Sequence, residues 1–108
     1  MINYEDFSKV EVRIGEIKTV EKIEKSEKLL LLSVDFGEED LRTVVSGVAP
    51  YFREPQDLVG IKCSFVTNLE PRPLMGHESQ AMILGVRDGD DFSLLKPSSE
   101  VKPGSVVG

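Results

Sequence analysis

Short apolar runs that alternate every second residue, each closed by glycine, proline or acidic turn residues, restrict this chain to a β-rich fold. Val10, Val12 and Ile14 alternate with Glu11, Arg13 and Gly15; the apolar phase then shifts to Ile17, and Thr19 continues the new series. A glycine at such a phase change predicts a bulge or sharp bend at Gly15, which a strand needs to turn the corner of a small closed barrel. Residues 29–36 predict a second strand, with Leu30, Leu32, Val34 and Phe36 on one face and Leu29, Leu31, Ser33 and Asp35 on the other. That second face is half apolar, so either the N-terminal segment or a loop packs over it, or a second subunit does. Gly37 to Asp40 predict a hairpin turn. Residues 41–46, 61–67 and 81–87 predict the third, fourth and fifth strands.

Asp88-Gly89-Asp90-Asp91 predicts a further turn, followed by a short extension over residues 92–95. Residues 50–58 carry two prolines, Tyr51 and Phe52 and predict a short helical or irregular connection. Asn3, three residues before Asp6, has the spacing of a helix N-cap. Five short strands with one connection between the third and fourth suit a five-stranded Greek-key barrel of the oligonucleotide-binding type. Short helical segments and a C-terminal extension complete the expected architecture. A sandwich would want more strands.

The 108 residues suit a single domain spanning 1–108. No stretch approaches the roughly 18 apolar residues of a membrane span, so no membrane is expected as partner. The N-terminus lacks the basic-then-apolar order of a signal peptide, which predicts a cytoplasmic location. One cysteine, Cys63, flanked by strand-like residues, predicts a small buried filler rather than a disulfide or a metal ligand.

Catalytic motifs are scarce. The chain has one histidine, His77, which makes a histidine-based triad or metal site improbable. The glycines at 85 and 89 lack the lysine and hydroxyl of a phosphate loop. Asp88, Asp90 and Asp91 do not complete a calcium loop, because the terminal bidentate glutamate is missing. The expectation is a non-catalytic protein without catalytic residues, metal or cofactor.

What remains is a set of cations. Lys25 and Lys28 precede the second strand, Arg42 lies on the third, and Arg72 lies in the connection over residues 68–79. In barrels of this type the second and third strands and the adjoining loops form the nucleic-acid face, where arginine and lysine neutralise phosphates. Ordinary surface charge is the alternative, and a net charge of −6 weighs on that side. Pro71 and Pro73 stiffen the backbone on either side of Arg72, and Gly76 permits a tight turn. Aromatic residues are only 6% of the chain, so stacking of bases on rings is poorly supplied. Recognition of a folded RNA by shape and phosphate suits the composition better.

Residues 6–15, Asp-Phe-Ser-Lys-Val-Glu-Val-Arg-Ile-Gly, resemble the opening of a known family. It is the tRNA-binding domain shared by methionyl-tRNA synthetase C-termini, stand-alone tRNA-binding proteins and endothelial monocyte-activating polypeptides. Lys28-Leu29-Leu30, the Val45 to Ala49 stretch, and Asn68-Leu69 with Pro71, Arg72, Leu74, Gly76, Ser79 and Met82 agree with it. So do Leu94 to Pro97 and Pro103-Gly104. The resemblance implies a barrel that binds tRNA largely by shape, is often a homodimer, and presents tRNA to a methionyl-tRNA synthetase. It assigns Lys28, Arg42, Ser46, Asn68, Arg72, Ser79 and Met82 to the RNA face, and Lys25 joins them by position. Lys28, Arg42 and Arg72 would take phosphates, while Ser46, Asn68 and Ser79 would position loops or donate hydrogen bonds. Met82 would either pack beneath the loop or touch RNA. Two departures stand out: Lys25-Ser26-Glu27 replaces a family Pro-Asn pair, and Ala81 replaces a family glycine. A related export chaperone of the CsaA type, with the same barrel and dimer, is the alternative.

Overall fold

The structure is a computed structural model that describes all 108 residues. A four-residue helix, α1 (Tyr4–Phe7), comes first; the Asn3 side chain accepts from the Asp6 amide at 2.8 Å and caps it. Ten strands follow: β1 (Val12–Lys22), β2 (Leu30–Asp35), β3 (Arg42–Ser46), β4 (Lys62–Val66), β5 (Arg72–Leu74), β6 (His77–Ser79), β7 (Met82–Ile83), β8 (Gly85–Asp88), β9 (Asp91–Leu94) and β10 (Val106–Val107). Two 3₁₀ turns, Ala49–Tyr51 and Pro55–Leu58, occupy the proline-marked connection between β3 and β4. The main sheet runs β3-β2-β1-β4-β7, all antiparallel, with β10 added to β1. This is the expected oligonucleotide-binding barrel, nearly closed. No helix is long and apolar enough to cross a membrane.

β1 serves two long partners besides the short β10. Its first half pairs with β4 and its second half with β2, and Glu16 is registered to both. The strand must therefore bend. Its register against β2 slips between Ile17 and Thr19, so the bulge lies three residues beyond the Gly15 expected from the phase change. Gly15 has a different duty. A Cβ there would meet Val34 Cγ1 at 2.5 Å and Phe36 Cε1 at 2.6 Å, so only glycine lets the Phe36 ring lie against β1. Ile14 points to the opposite face. It is buried beside Leu95, Val101 and Val106 of the tail, which bonds β1 through Gly104 N to Ile14 O and Ile14 N to Ser105 O.

The barrel interior holds Ile17, Val20, Leu30, Leu32, Val34, Phe36, Val44, Cys63 and Phe65, with Leu58 of the second 3₁₀ turn packed among them. Cys63 has no exposed surface, and burial pushes its thiol up to about 12. It is a protonated, unreactive filler at neutral pH.

Two expectations change. The fifth strand does not run unbroken over residues 81–87. Met82 and Ile83 pair with β4, whereas Gly85–Asp88 leaves the barrel to pair with β9. The aspartate-rich turn after residue 87 makes that local hairpin available at little loop-closure cost. The connection over residues 68–79 is also no plain loop. β5 and β6 form a hairpin across Met75 and Gly76, whose φ angles are 50° and 82°. Two successive positive φ values define the tight turn that matches strand twist. We call this hairpin the arm.

Candidate nucleic-acid interface

The arm folds back over the start of β2 and the end of β3. Between them lies a groove of about 370 Å³, whose lining includes Leu29, Ser46, Arg72, Ser79 and Met82. Four of the eight residues expected at the site therefore share one wall system. Leu29 and Leu31, the half-apolar outer face of β2, are half-buried beside the arm: Leu29 lines the groove, and Leu31 lies in a hollow with Met75 and His77.

Ser79 is held by its hydroxyl, which accepts from Val45 N at 3.0 Å and donates to Ala81 O at 3.0 Å. Gln80 N donates to Thr43 O and Thr43 N donates to Gln80 Oε1, both at 2.8 Å. These bonds close the barrel between β3 and the segment after the arm, and they fix the base from which Arg72 projects. Asn68 clamps the N-terminal segment, with Oδ1 accepting from Glu11 N at 2.8 Å and Nδ2 donating to Lys9 O at 2.6 Å. Met82 is half-exposed on the groove wall, not packed under the arm. The Lys25-Ser26-Glu27 turn is shaped by Ser26, whose Oγ accepts from the amides of Lys28 and Leu29 at 3.3 and 3.2 Å.

Of 13 cations, Lys9, Arg13, Lys18, Arg42 and Lys62 are ion-paired. The other eight, Lys22, Lys25, Lys28, Arg53, Arg72, Arg87, Lys96 and Lys102, are exposed and have no carboxylate partner. Lys28 adjoins the groove residue Leu29, and Lys25 borders the hollow at the arm's tip with Lys22. Arg72 thus lines the groove, and Lys22 and Lys25 line the hollow beside the arm. Glu21, Glu24 and Glu70 line the same hollow and groove, so the face is a mosaic rather than a uniformly basic patch.

Arg42 is engaged within the protein. Its Nε and Nη2 grip Glu38 Oε1 and Oε2, each at 2.8 Å, and its Nη1 donates to Thr67 O at 2.6 Å and Gln80 O at 3.2 Å. Glu38 Oε2 also takes Arg13 Nη2 at 3.1 Å, and Arg13 Nε lies 3.0 Å from Glu11 Oε1. The donors a phosphate would need are already committed to carboxylate and carbonyl oxygens. Arg42 ties β3 to the ends of β4 and the arm. Glu38, read from sequence as one acid of a turn, is the shared counter-ion of both arginines.

This network carries a pH signature. The bidentate hydrogen bonds of Arg42, helped by Arg13, hold the Glu38 carboxyl down at about 2. The Thr67 hydroxyl bond, chiefly, lowers Glu11 as well. A depressed folded-state value means that the unfolded chain binds more protons at acid pH. The stabilisation is complete above about pH 4.5 and lost as pH falls through about 2. Thermal melts should show that acid loss, and Glu38→Gln should flatten it; an unchanged acid limb in the variant would refute this account.

Comparison with known proteins decides the family. Residues 12–106 match the family described as "Putative tRNA binding domain". The chain belongs to the tRNA-binding domain family. This tRNA-binding domain is 49% identical over 106 residues to the methionine–tRNA ligase of Helicobacter pylori (strain J99), covering 98% of the chain and 16% of that protein. It is 44% identical over 108 residues to the methionine–tRNA ligase of Methanococcoides burtonii, covering 99% of the chain and again 16% of the relative. The chain thus spans only a small part of the curated relatives it matches. Among solved structures it superposes on a MetRS-related protein from Pyrococcus horikoshii with TM-score 0.91 and 36% identity, covering 100% of this chain and 98% of that one. It also superposes on the chaperone CsaA of Bacillus anthracis (strain Ames) with TM-score 0.87 and 29% identity, covering 100% and 99%.

Sequence reasoning did not find the Glu11–Arg13–Glu38–Thr67 surroundings of Arg42, nor the groove residues Leu69 and Leu74. One signal was available: Glu38 precedes Arg42 by four residues across a hairpin turn, a spacing that brings the two side chains together.

Proposed function

We propose that this tRNA-binding domain is a non-catalytic module that binds tRNA by shape and phosphate contact. In this reading it raises the local concentration of tRNA at an aminoacyl-tRNA synthetase in the cytoplasm. Methionyl-tRNA synthetase is the partner the relatives favour. The observation that carries the reading is that Arg72 and Lys25, both unpaired, border the arm of a chain in this family, with unpaired Lys28 next to the groove residue Leu29 in the chain. Arg72 would hold a phosphate from a stiff base, and Lys25 and Lys28 would add charge beside it. Ser46 and Met82 would face the RNA from the groove; Asn68, Ser79 and Arg42 would hold the scaffold. Titration with unfractionated tRNA should show binding that weakens with salt, with a logarithmic slope of roughly −2 to −3 for three neutralised phosphates. Absence of binding at low salt would defeat the reading.

A second reading, a protein chaperone, is favoured by the likeness to CsaA and by the apolar lining of the groove. Competition between tRNA and an unfolded polypeptide separates the two.

A homodimer also belongs to the proposal. The outer face of β2, one candidate interface, is partly screened by the arm. A better surface is the N-terminal segment: α1 buries none of its residues, and Ile2, Tyr4, Phe7 and Val10 are exposed, as are Val106 and Val107 beside β1. Light scattering at micromolar concentration should give twice the chain mass, and Phe7→Ser should shift it toward monomer. A monomeric parent protein would remove the dimer.

A further inference from the structure

The groove beneath the arm has features that phosphate binding alone does not require. Leu29, Leu74, Met82 and Ile83 make most of its wall apolar. Ser46 also lines it and is only 8% exposed, yet its hydroxyl has no protein partner, whereas the hydroxyl of Ser79 is fully engaged. No side-chain polar atom is sealed off without a partner, so the Ser46 Oγ opens on the groove. A hydroxyl with no protein partner, set in a largely apolar lining, can exchange its water for a hydrogen bond to a ligand. At about 370 Å³ the space lies in the range of pockets that take small organic groups.

We propose that this groove is a subsite for one unstacked nucleobase of the bound RNA. The proposal rests on the tRNA-binding reading and deepens it. A base has apolar faces and a polar edge: the faces would lie on Leu29, Leu74 and Met82, and the edge would bond Ser46 Oγ. The phosphate of the same nucleotide stays at the rim with the unpaired Arg72 guanidinium. The apolar wall and the Glu70 carboxylate on the lining keep phosphate out of the groove itself. The free cation at the rim, with Lys28 adjoining Leu29, favours a polyanion over a peptide as occupant. No aromatic ring is needed, because aliphatic side chains cover a base face and the edge bond orients it. Bases in loops and single-stranded ends are the donors, since extracting them breaks no pairs.

Gly47 supplies the test. It borders the groove, and a Cβ there would meet nothing within 4 Å, so the first carbon of a side chain has room and the rest would extend beside the groove. Gly47→Leu should lower affinity for unfractionated tRNA by roughly tenfold, the order of one lost base contact, with an unchanged melting temperature. In the parent protein, 5′-AMP and a short oligoadenylate should shift the Met82 methyl resonance, and Ser46→Ala should weaken that response. If Gly47→Leu binds tRNA as the parent does, or if AMP leaves Met82 unmoved, the subsite is wrong while tRNA binding stands. If an apolar peptide moves Met82 and the nucleotides do not, the groove belongs to a protein ligand and the proposal falls. If the parent binds no tRNA, both readings fall together. Should Gly47→Leu fail to fold, the Met82 response in the parent decides.

Discussion

Phe36→Ala is expected to destabilise the barrel by about 3–5 kcal/mol, the range for deleting a fully buried aromatic side chain. The ring is 1% exposed and meets Phe65 edge-on at 5.2 Å between centroids and 85° between planes. The guanidinium carbons of Arg13 and Arg42 stand 5.7 and 5.3 Å from its centroid. Gly15 has no side chain because the ring occupies that space. Alanine would thus leave a void that neither β1 nor the tethered arginines can fill by collapsing, since Glu38 holds both guanidinium groups in place. A loss of that size is a large share of a small domain's total stability. Urea unfolding measures it directly; a loss below about 1 kcal/mol would show that the site collapses freely and that Phe36 does not organise this end of the barrel.

The two arginines at the interface should separate by opposite behaviour. Arg72→Ala removes an exposed, unpaired cation, so stability should change by less than about 0.5 kcal/mol. Affinity should fall several-fold and about equally for different tRNAs, because a phosphate contact carries little sequence information. Arg42→Ala removes a bidentate bond to Glu38 and two bonds to backbone carbonyls, and it should cost about 2–3 kcal/mol, the order for hydrogen bonds to charged groups. Measured well below its melting temperature, its affinity for tRNA should drop less than that of Arg72→Ala. The reverse pattern, with Arg42→Ala stable but unable to bind, would return Arg42 to the RNA-contacting set.

The strands were legible because period-two alternation is a local consequence of pleating: every second side chain meets the same environment. Leu30, Leu32, Val34 and Phe36 show this plainly, and all four enter the core. The Asn3 cap was legible for the same reason, since it spans three residues. A bulge or bend was expected at Gly15 and the register slip lies at Lys18, because a slip and a close approach both produce a phase change and only the paired strand distinguishes them. The unbroken fifth strand failed because the apolar run over residues 81–87 does not reveal that the chain exchanges β4 for β9 as its partner at Gly85.

The site divides in the same way. Residue types and their order, with the stiffened Pro71-Arg72-Pro73 and the turn at Gly76, were sufficient to indicate a barrel, a family and a list of polar candidates. Which candidates remain free was decided in three dimensions. Arg42 and Arg72 are equal as cations on paper, but the β2–β3 turn delivers Glu38 to one of them, and no carboxylate reaches the other. Period and capping act through neighbours along the chain and can be read there. Ion pairing, groove walls and the unpartnered Ser46 hydroxyl depend on segments tens of residues apart meeting at a few ångströms, a coincidence that only chain closure creates.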